Sequence, residues 1–282
     1  MKLQTLDFHF AILTPCFSGT AEGKHAEESL MHVPPMRGHF RFWHRQLFGS
    51  ADCNTVWGST DGDLGSGSKI AVRLVQTVPA SPFQDEVLPH KENPRHRRGR
   101  PALRDESEFT VALQRLVGCT DAYWDHAQRT LNLWLLIGCI GLRSNRAAGS
   151  VWPTGNWVPR DAVVFSRALR DLGLASWSVA LIGEKAGLPA AKLRETASDT
   201  IQGNQYRQIF GGINERFPSP TKFKVIHLST GPCLLAAAAR QEIVCEDRQR
   251  RPILREAERL LLHVKPDRRR WVELGAWNHI LP

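Results

Sequence analysis

The sequence has no CxxC pair. Its six cysteines, at positions 16, 53, 119, 139, 233 and 245, are scattered and share no short spacing with histidine. That excludes a zinc finger or ribbon and a disulfide mini-scaffold, and it suits reduced thiols in a cytosolic protein. Long apolar runs are missing too. The longest, Leu133 to Leu142, is about half of the roughly 20 residues that a membrane span needs. The start, MKLQTLDFHF, has no apolar stretch of the kind that directs secretion. The expectation is a cytoplasmic protein, neither secreted nor spanning a membrane.

Catalytic signatures are equally scarce. HExxH, GxSxG and GxGxxG do not occur. Gly62 to Lys69, GDLGSGSK, has its lysine after Gly-Ser and leads into a strand, whereas a phosphate-binding P-loop needs Gly-Lys-Ser/Thr at the mouth of a helix. Asp61 and Asp63 do not open a calcium loop, because Val72 stands where the bidentate glutamate is required. FGGIN at Phe210 to Asn214 lacks the acidic pair with which a nucleotidyl cyclase would hold metal. No metal, cofactor or catalytic residue is expected.

Carboxylates are in short supply: 28 Asp plus Glu face 37 Lys plus Arg, for a net charge of +9. Of the 37 cations 28 are arginine, whose planar fork pairs bidentately with phosphate and stacks on bases. An anionic partner, nucleic acid first, follows. Up to residue 150 the net charge is +2 and beyond it +7. The 282 residues, 42% hydrophobic and 23% charged, make one large globular domain or two ordinary ones.

Period-2 alternation predicts strands over Leu3 to Leu13, Lys69 to Val78 and Glu108 to Val117. Pro34 and Pro35 open a helix to Phe48, on which Met36, Phe40, Trp43 and Leu47 form an apolar stripe. Arg37, Arg41 and Arg45 form a second stripe beside His44. With no interleaved glutamate, their mutual repulsion calls for an anion or a partner's carboxylates opposite. Residues 79–106, with five prolines and the run PRHRRGRPALR, read as a mobile basic insertion presenting Arg95, Arg97 and Arg98. A second helix runs from Asp121, capped by Thr120, toward Gly138, and a short strand follows over Ser150 to Val158.

The order β, α, β, β, α, β is that of the ferredoxin-like α+β fold, here over residues 1–158. Beyond Pro159 helices are expected at Asp161 to Leu172 and Gln249 to His263, and a strand at Thr221 to Ser229. These allow a degenerate second copy over 159–282. The segment GCIGLRSNRAAGS joins Gly138, Gly141 and Gly149 to Arg143, Asn145 and Arg146, a composition suited to a sugar-phosphate backbone. Trp43, Trp134, Trp152 and Trp157 could stack on bases, although Trp43 and Trp134 lie on apolar stripes and suit the core. His25, His32, His39 and His44 lie nearest the arginine stripe, but none has a partnering acid at a spacing that assigns proton transfer.

Four segments together resemble the RAMP superfamily of CRISPR-associated proteins, most closely the first RAMP subunits of Cmr (type III-B) effector complexes. They are TPCFSGT, VPPMRGHFRFWHRQLFG, VWGSTDG followed by SKIAVRLV, and GLRSNRAAGSV. The resemblance covers about residues 5–160 and resumes at RFPSPTKFKVIHL, which holds Arg216 and Lys222. Arg37, Gly38, Arg41, Trp43 and Arg45 match the helix motif; Gly141, Arg143, Arg146 and Gly149 match the loop. The loop departs from the family where Gly-aromatic-Gly becomes Ala147-Ala148-Gly149.

The resemblance implies tandem ferredoxin-like (RRM-like, RAMP) domains, contact with the guide RNA 3′ region and with target RNA, and other RAMP subunits as partners in antiviral defence. It makes the chain a binder, since target cutting in that family resembles a task of the backbone subunit. The alternative is a metal-independent endoribonuclease that processes guide RNA.

Overall fold

The computed structural model describes residues 4–17, 31–60, 65–77, 83–105, 107–155, 157–201, 204–212, 218–264 and 269–282. The first half runs β1 (Thr5–Ile12), α1 (Val33–Trp57), β2 (Ile70–Thr77), β3 (Phe83–Glu86), β4 (Gly99–Ala102), β5 (Glu108–Arg115), α2 (Asp121–Ile137) and β6 (Val151–Pro153). Four of these strands form an antiparallel sheet in the order β2-β5-β1-β6. Alternation sets which face is buried: Phe8, Phe10 and Ile12 of β1 turn inward with Val111 and Leu113 of β5. There Phe10 meets Trp134 of α2 edge to face, with ring centroids 5.4 Å apart.

Helix α1 starts on Pro34 and Pro35, as expected, but does not stop at Phe48. Gly49, at φ 84°, breaks it, and residues 50–57 continue as a second helical segment. Thr120 caps α2 by accepting from the Tyr123 amide at 3.2 Å.

The second half runs α3 (Ala162–Asp171), β7 (Trp177–Ile182), α4 (Ala190–Ser198), α5 (Arg207–Phe210), β8 (Lys222–Leu228), β9 (Gly231–Ala239), β10 (Glu242–Val244), β11 (Arg250–Pro252), α6 (Ile253–Arg259), α7 (Arg269–Leu274) and β12 (Asn278–Leu281). Its antiparallel sheet has the order β12-β7-β9-β8, and β10 pairs with β11 as a hairpin. The expected helix over Gln249 to His263 is shorter at its start, because Arg250–Pro252 pair as a strand, and it ends in a π turn, Leu260–Val264.

Both faces of this second sheet are covered. Phe223, Val225, Leu234 and Ala236 share one cluster with Leu193 of α4, Leu254 of α6 and Trp271 of α7. Ile226, Leu235, Val179 and Leu181 join the larger cluster built on α1, α2 and the first sheet. Trp43 of α1 packs on Trp177 of β7 with centroids 5.0 Å apart. Lys224 of β8, wholly buried, donates to the Leu135 carbonyl of α2 at 2.6 Å. One continuous core thus crosses residue 158.

The basic insertion is corrected. Among its described residues, β3 and β4 pair as a hairpin around a 3-10 turn at Pro94–His96. Val87 and Ala102 bury against Phe17 and Ala148, and Leu103 exchanges backbone hydrogen bonds with Cys16. Pro94 and Arg95 lie in the turn at the tip, while the apolar residues at the base form a small core that composition alone did not suggest.

Candidate nucleic-acid interface

The arginine stripe has its counter-charge inside the chain. After Gly49 the second segment of α1 ends at Trp57, beside the stripe. Arg37 donates to the Trp57 carbonyl at 2.9 Å, and Arg41 donates to the Gly58 carbonyl and to Asn54 Oδ1 at 3.0 Å. Unpaired carbonyls and the negative end of the helix dipole meet the two guanidinium groups there. Arg37 and Arg41 stay half-buried and Arg45 is exposed. Gly38 sits in the helix rather than in a loop, with nothing within 4 Å of where a Cβ would stand. Such a glycine weakens the helix and leaves its surface low between Arg37 and Arg41.

His44 is not an RNA contact. It is wholly buried: its Nε2 lies 2.6 Å from Asp52 Oδ1, and its Nδ1 accepts from Trp57 Nε1 at 2.9 Å. Indole nitrogen only donates, so the imidazole is neutral with its proton on Nε2. Burial holds its pKa below the ordinary value, against the opposing pull of Asp52. His126 Nδ1 also bonds Asp52 Oδ1, at 3.1 Å. The ligand atoms of His44, Asp52 and His126 lie within 4.8 Å of one another. The trio does not fit a metal, however, because the Nε2 lone pair a metal needs is protonated and the Trp57 N–H fixes that tautomer.

The glycine-rich loop after α2 is woven into the second half. Ala147 donates to the Phe223 carbonyl at 3.0 Å, and Phe223 donates back to Asn145 at 3.2 Å, so the loop borders β8. Gly141 and Gly149 are needed by the fold itself, at φ 88° and 62°. A Cβ there would lie 2.7 Å from the Phe17 carbonyl oxygen and 2.0 Å from that of Ile140. Arg146 is corrected as well. It is buried, and Nη1 donates to Ser219 Oγ at 2.9 Å and to the Asn145 and Thr221 carbonyls, while Nη2 donates to the Phe210 carbonyl. Burial, then the charge of Arg143, lowers its pKa to about 9. Its donors tie the two halves together and are not free for phosphate.

What remains is a linked run of cations. Lys222 Nζ lies 2.9 Å from Asn145 Oδ1 and 4.7 Å from the centre of the Phe42 ring. Burial lowers its pKa to about 8. His39, half-buried on α1, is lowered to about 4 by burial and by the Lys222 charge. Beyond Asn145, Arg143 is half-buried and lies near Arg98 of the hairpin and Arg194 of α4, whose charges lower its own pKa further after burial. Arg95 and Arg98 are exposed, whereas Arg97 pairs with Glu86 at 3.2 Å. Trp43, Trp134 and Trp152 are buried, leaving Trp157, 46% exposed, as the one of the four able to stack. Arg216 and His25 lie outside the described residues, as do positions 61–64. His32 is half-buried at the α1 N-cap position and makes no capping hydrogen bond there.

Sequence reasoning missed Phe42 and the buried Arg194 behind this surface, and it weighed His39 only for proton transfer. Arg194 sits in AAKLRETAS, far from every motif, and no local signal marked it.

The arrangement of the two sheets has counterparts among solved structures. The particular likeness is to Cmr1 of Pyrococcus furiosus, whose apo crystal structure aligns with 85% of this chain and 89% of its own at 17% identity and a TM-score of 0.60. A chain of the type III-B Cmr-beta complex bound to cognate target RNA and AMPPnP in the presence of single-stranded DNA aligns over 85% and 96%, at 9% identity and a TM-score of 0.50. No family model matches the sequence, and no curated protein does. The likeness is one of fold, and it agrees with the Cmr-like RAMP resemblance carried by the motifs. No helix among the described residues is long and apolar enough to cross a membrane.

Proposed function

We propose that this chain is a non-catalytic RNA-binding subunit of a type III CRISPR (Cmr-type) ribonucleoprotein, contacting the guide RNA 3′ region and target RNA beside other RAMP subunits. Two ferredoxin-like units, 1–158 and 159–282, carry the site. The sheet orders β6-β1-β5-β2 and β12-β7-β9-β8 support that division, since each places the strands of its half in one and the same sequence.

The observation that carries the proposal is the linked run from His39 and Phe42 through Lys222, Asn145 and Arg143 to Arg98. It joins α1, the loop, β8 and the hairpin, and neither Arg98 nor Arg143 has a carboxylate partner among the described residues. Such a track suits a single strand followed along its backbone.

The test is the affinity of the purified chain for single-stranded guide RNA between about 50 and 300 mM salt, where each phosphate contact contributes a slope of roughly 0.7. Arg95→Gln with Arg98→Gln should lower both affinity and slope; unchanged values in that variant overturn the proposal. Among the described residues of this surface, His39 feels the charge of Lys222, and this juxtaposition of two titratable groups gives the nuclease alternative a place to act. Repeat RNA incubated in EDTA should stay intact. Cleavage abolished by His39→Ala would establish the nuclease instead.

A further inference from the structure

Arg143 feels the charges of Arg194 and Arg98, and its own charge acts on Arg146. Three elements converge there. Phe17 bonds Leu142 of the loop through their backbones at 3.0 Å, and its ring lies 5.1 Å beneath the Arg194 guanidinium from α4. Arg194 also binds Asp85 and the Glu86 carbonyl of β3, while the Arg98 carbonyl accepts from Val87 at 3.2 Å. The hairpin base, α4 and the loop therefore meet at one junction.

Two features of it are unexplained by folding. Among the described residues, the buried Nε atoms of Arg143 and Arg194 have no hydrogen-bond partner. Arg98 and Arg143 both hold left-handed backbones, at φ 55° and 64°, a conformation costly for a side chain other than glycine and one that recurs at functional sites. Charge is unbalanced as well. Arg194 is answered by Asp85, and Arg97 takes Glu86. Asp105, exposed, favours the charge of Arg194 from farther off. Among the described residues, five arginines against those three carboxylates leave two positive charges without a carboxylate partner.

We infer that this junction is a seat for a terminal phosphate of an RNA chain, held by Arg143 and the exposed Arg98 with the buried Arg194 behind them. The inference rests on the RNA-binding proposal and sharpens it from a backbone track to a chain end. Charge selects the ligand. A phosphate monoester carries close to two negative charges at pH 7 and three terminal oxygens, whereas a bridging diester carries one charge and two such oxygens. Two uncompensated guanidinium groups match the former.

The experiment uses the full chain and one single-stranded RNA sequence made with a 3′-phosphate, with a 5′-phosphate or with hydroxyls at both ends. One phosphorylated form should bind at least tenfold tighter than the hydroxyl form, about 1.4 kcal/mol. Arg143→Gln or Arg98→Gln should erase that preference, and Arg95→Gln should keep it. Because Arg98 is exposed, its variant carries the test if Arg143→Gln fails to fold. The preference should also fade below about pH 6, where the monoester loses its second charge. Equal affinity for all three RNAs overturns the seat while leaving RNA binding intact. Heat stabilisation by inorganic phosphate, beyond chloride of equal ionic strength and absent in Arg98→Gln, upholds the seat even if no RNA binds, and RNA binding alone then fails.

Discussion

Replacing Lys224 with methionine should make the protein more stable at neutral pH. The Lys224 ammonium is enclosed between Leu135, whose carbonyl it meets at 2.6 Å, and the Trp152 ring, 5.5 Å away. Burial drives its pKa from 10.5 to about 7, with a smaller opposing pull from Cys139. Between pH 7 and 10.5 the unfolded chain therefore holds a proton that the folded chain has released, and stability rises with pH across that window. Below pH 7 both states are protonated and the penalty, as much as ~5 kcal/mol, is fully present. Methionine keeps the length and removes the charge. It also strands the Leu135 carbonyl in the last turn of α2, which costs about 1–3 kcal/mol. The variant should gain about 2–4 kcal/mol near pH 7, and the gain should shrink by about 3 kcal/mol on moving to pH 9.5. Urea unfolding of both proteins at pH 6.5, 8 and 9.5 measures this. Lys222 titrates in the same range but is present in both, so it cancels. Parallel stability curves for the two proteins would refute the reasoning.

Three further outcomes follow from the structure. His44 should remain the neutral Nε2–H tautomer below its ordinary pKa of 6.5, so acidification favours the unfolded chain; imidazole nitrogen shifts would show it, and a proton on Nδ1 at pH 7 would disprove the Trp57 contact. Arg146→Gln should destabilise by about 2–3 kcal/mol in chemical denaturation, whereas Arg95→Gln should stay within about 0.5 kcal/mol of the parent; equal effects would mean that the buried carbonyl contacts of Arg146 contribute nothing. Deleting Asn93 to Arg104 removes β4 with buried Ala102 and Leu103, so it should cost more than about 3 kcal/mol; unaltered cooperative melting would restore the mobile-insertion expectation.

The first half was legible because its elements obey simple periods. Phe8, Phe10 and Ile12 alternate, and Met36, Phe40 and Trp43 recur at helical spacing with prolines in front. In the second half β8 was legible at Thr221 to Ser229, but β7 and β9 were hidden for a physical reason. Trp177–Ile182 and Gly231–Ala239 are buried on both faces, so neither alternates, and the alanines that let two layers close on β9 read locally as helix formers. The candidate site was half legible. Charge and glycine content marked Arg98, Arg143 and Asn145, but no spacing reveals that Arg146 points inward or that Arg37 and Arg41 meet carbonyls returned by the turn at Gly49. Those facts depend on contacts between residues distant in the chain.

The second sheet's inner face lies on α1 and α2, and this orders events during synthesis. When a ribosome has released residues 1–158, both helices are complete. Trp43 still lacks Trp177, and the Leu135 carbonyl still lacks Lys224. The growing chain carries a bare apolar surface until 81 further residues, through Ala239, have emerged to form β7, β8 and β9. A gene fragment ending at that boundary would leave this surface exposed for good, and aggregation would be its fate. The two halves can be told apart by eye, yet the cell has to make them as one piece.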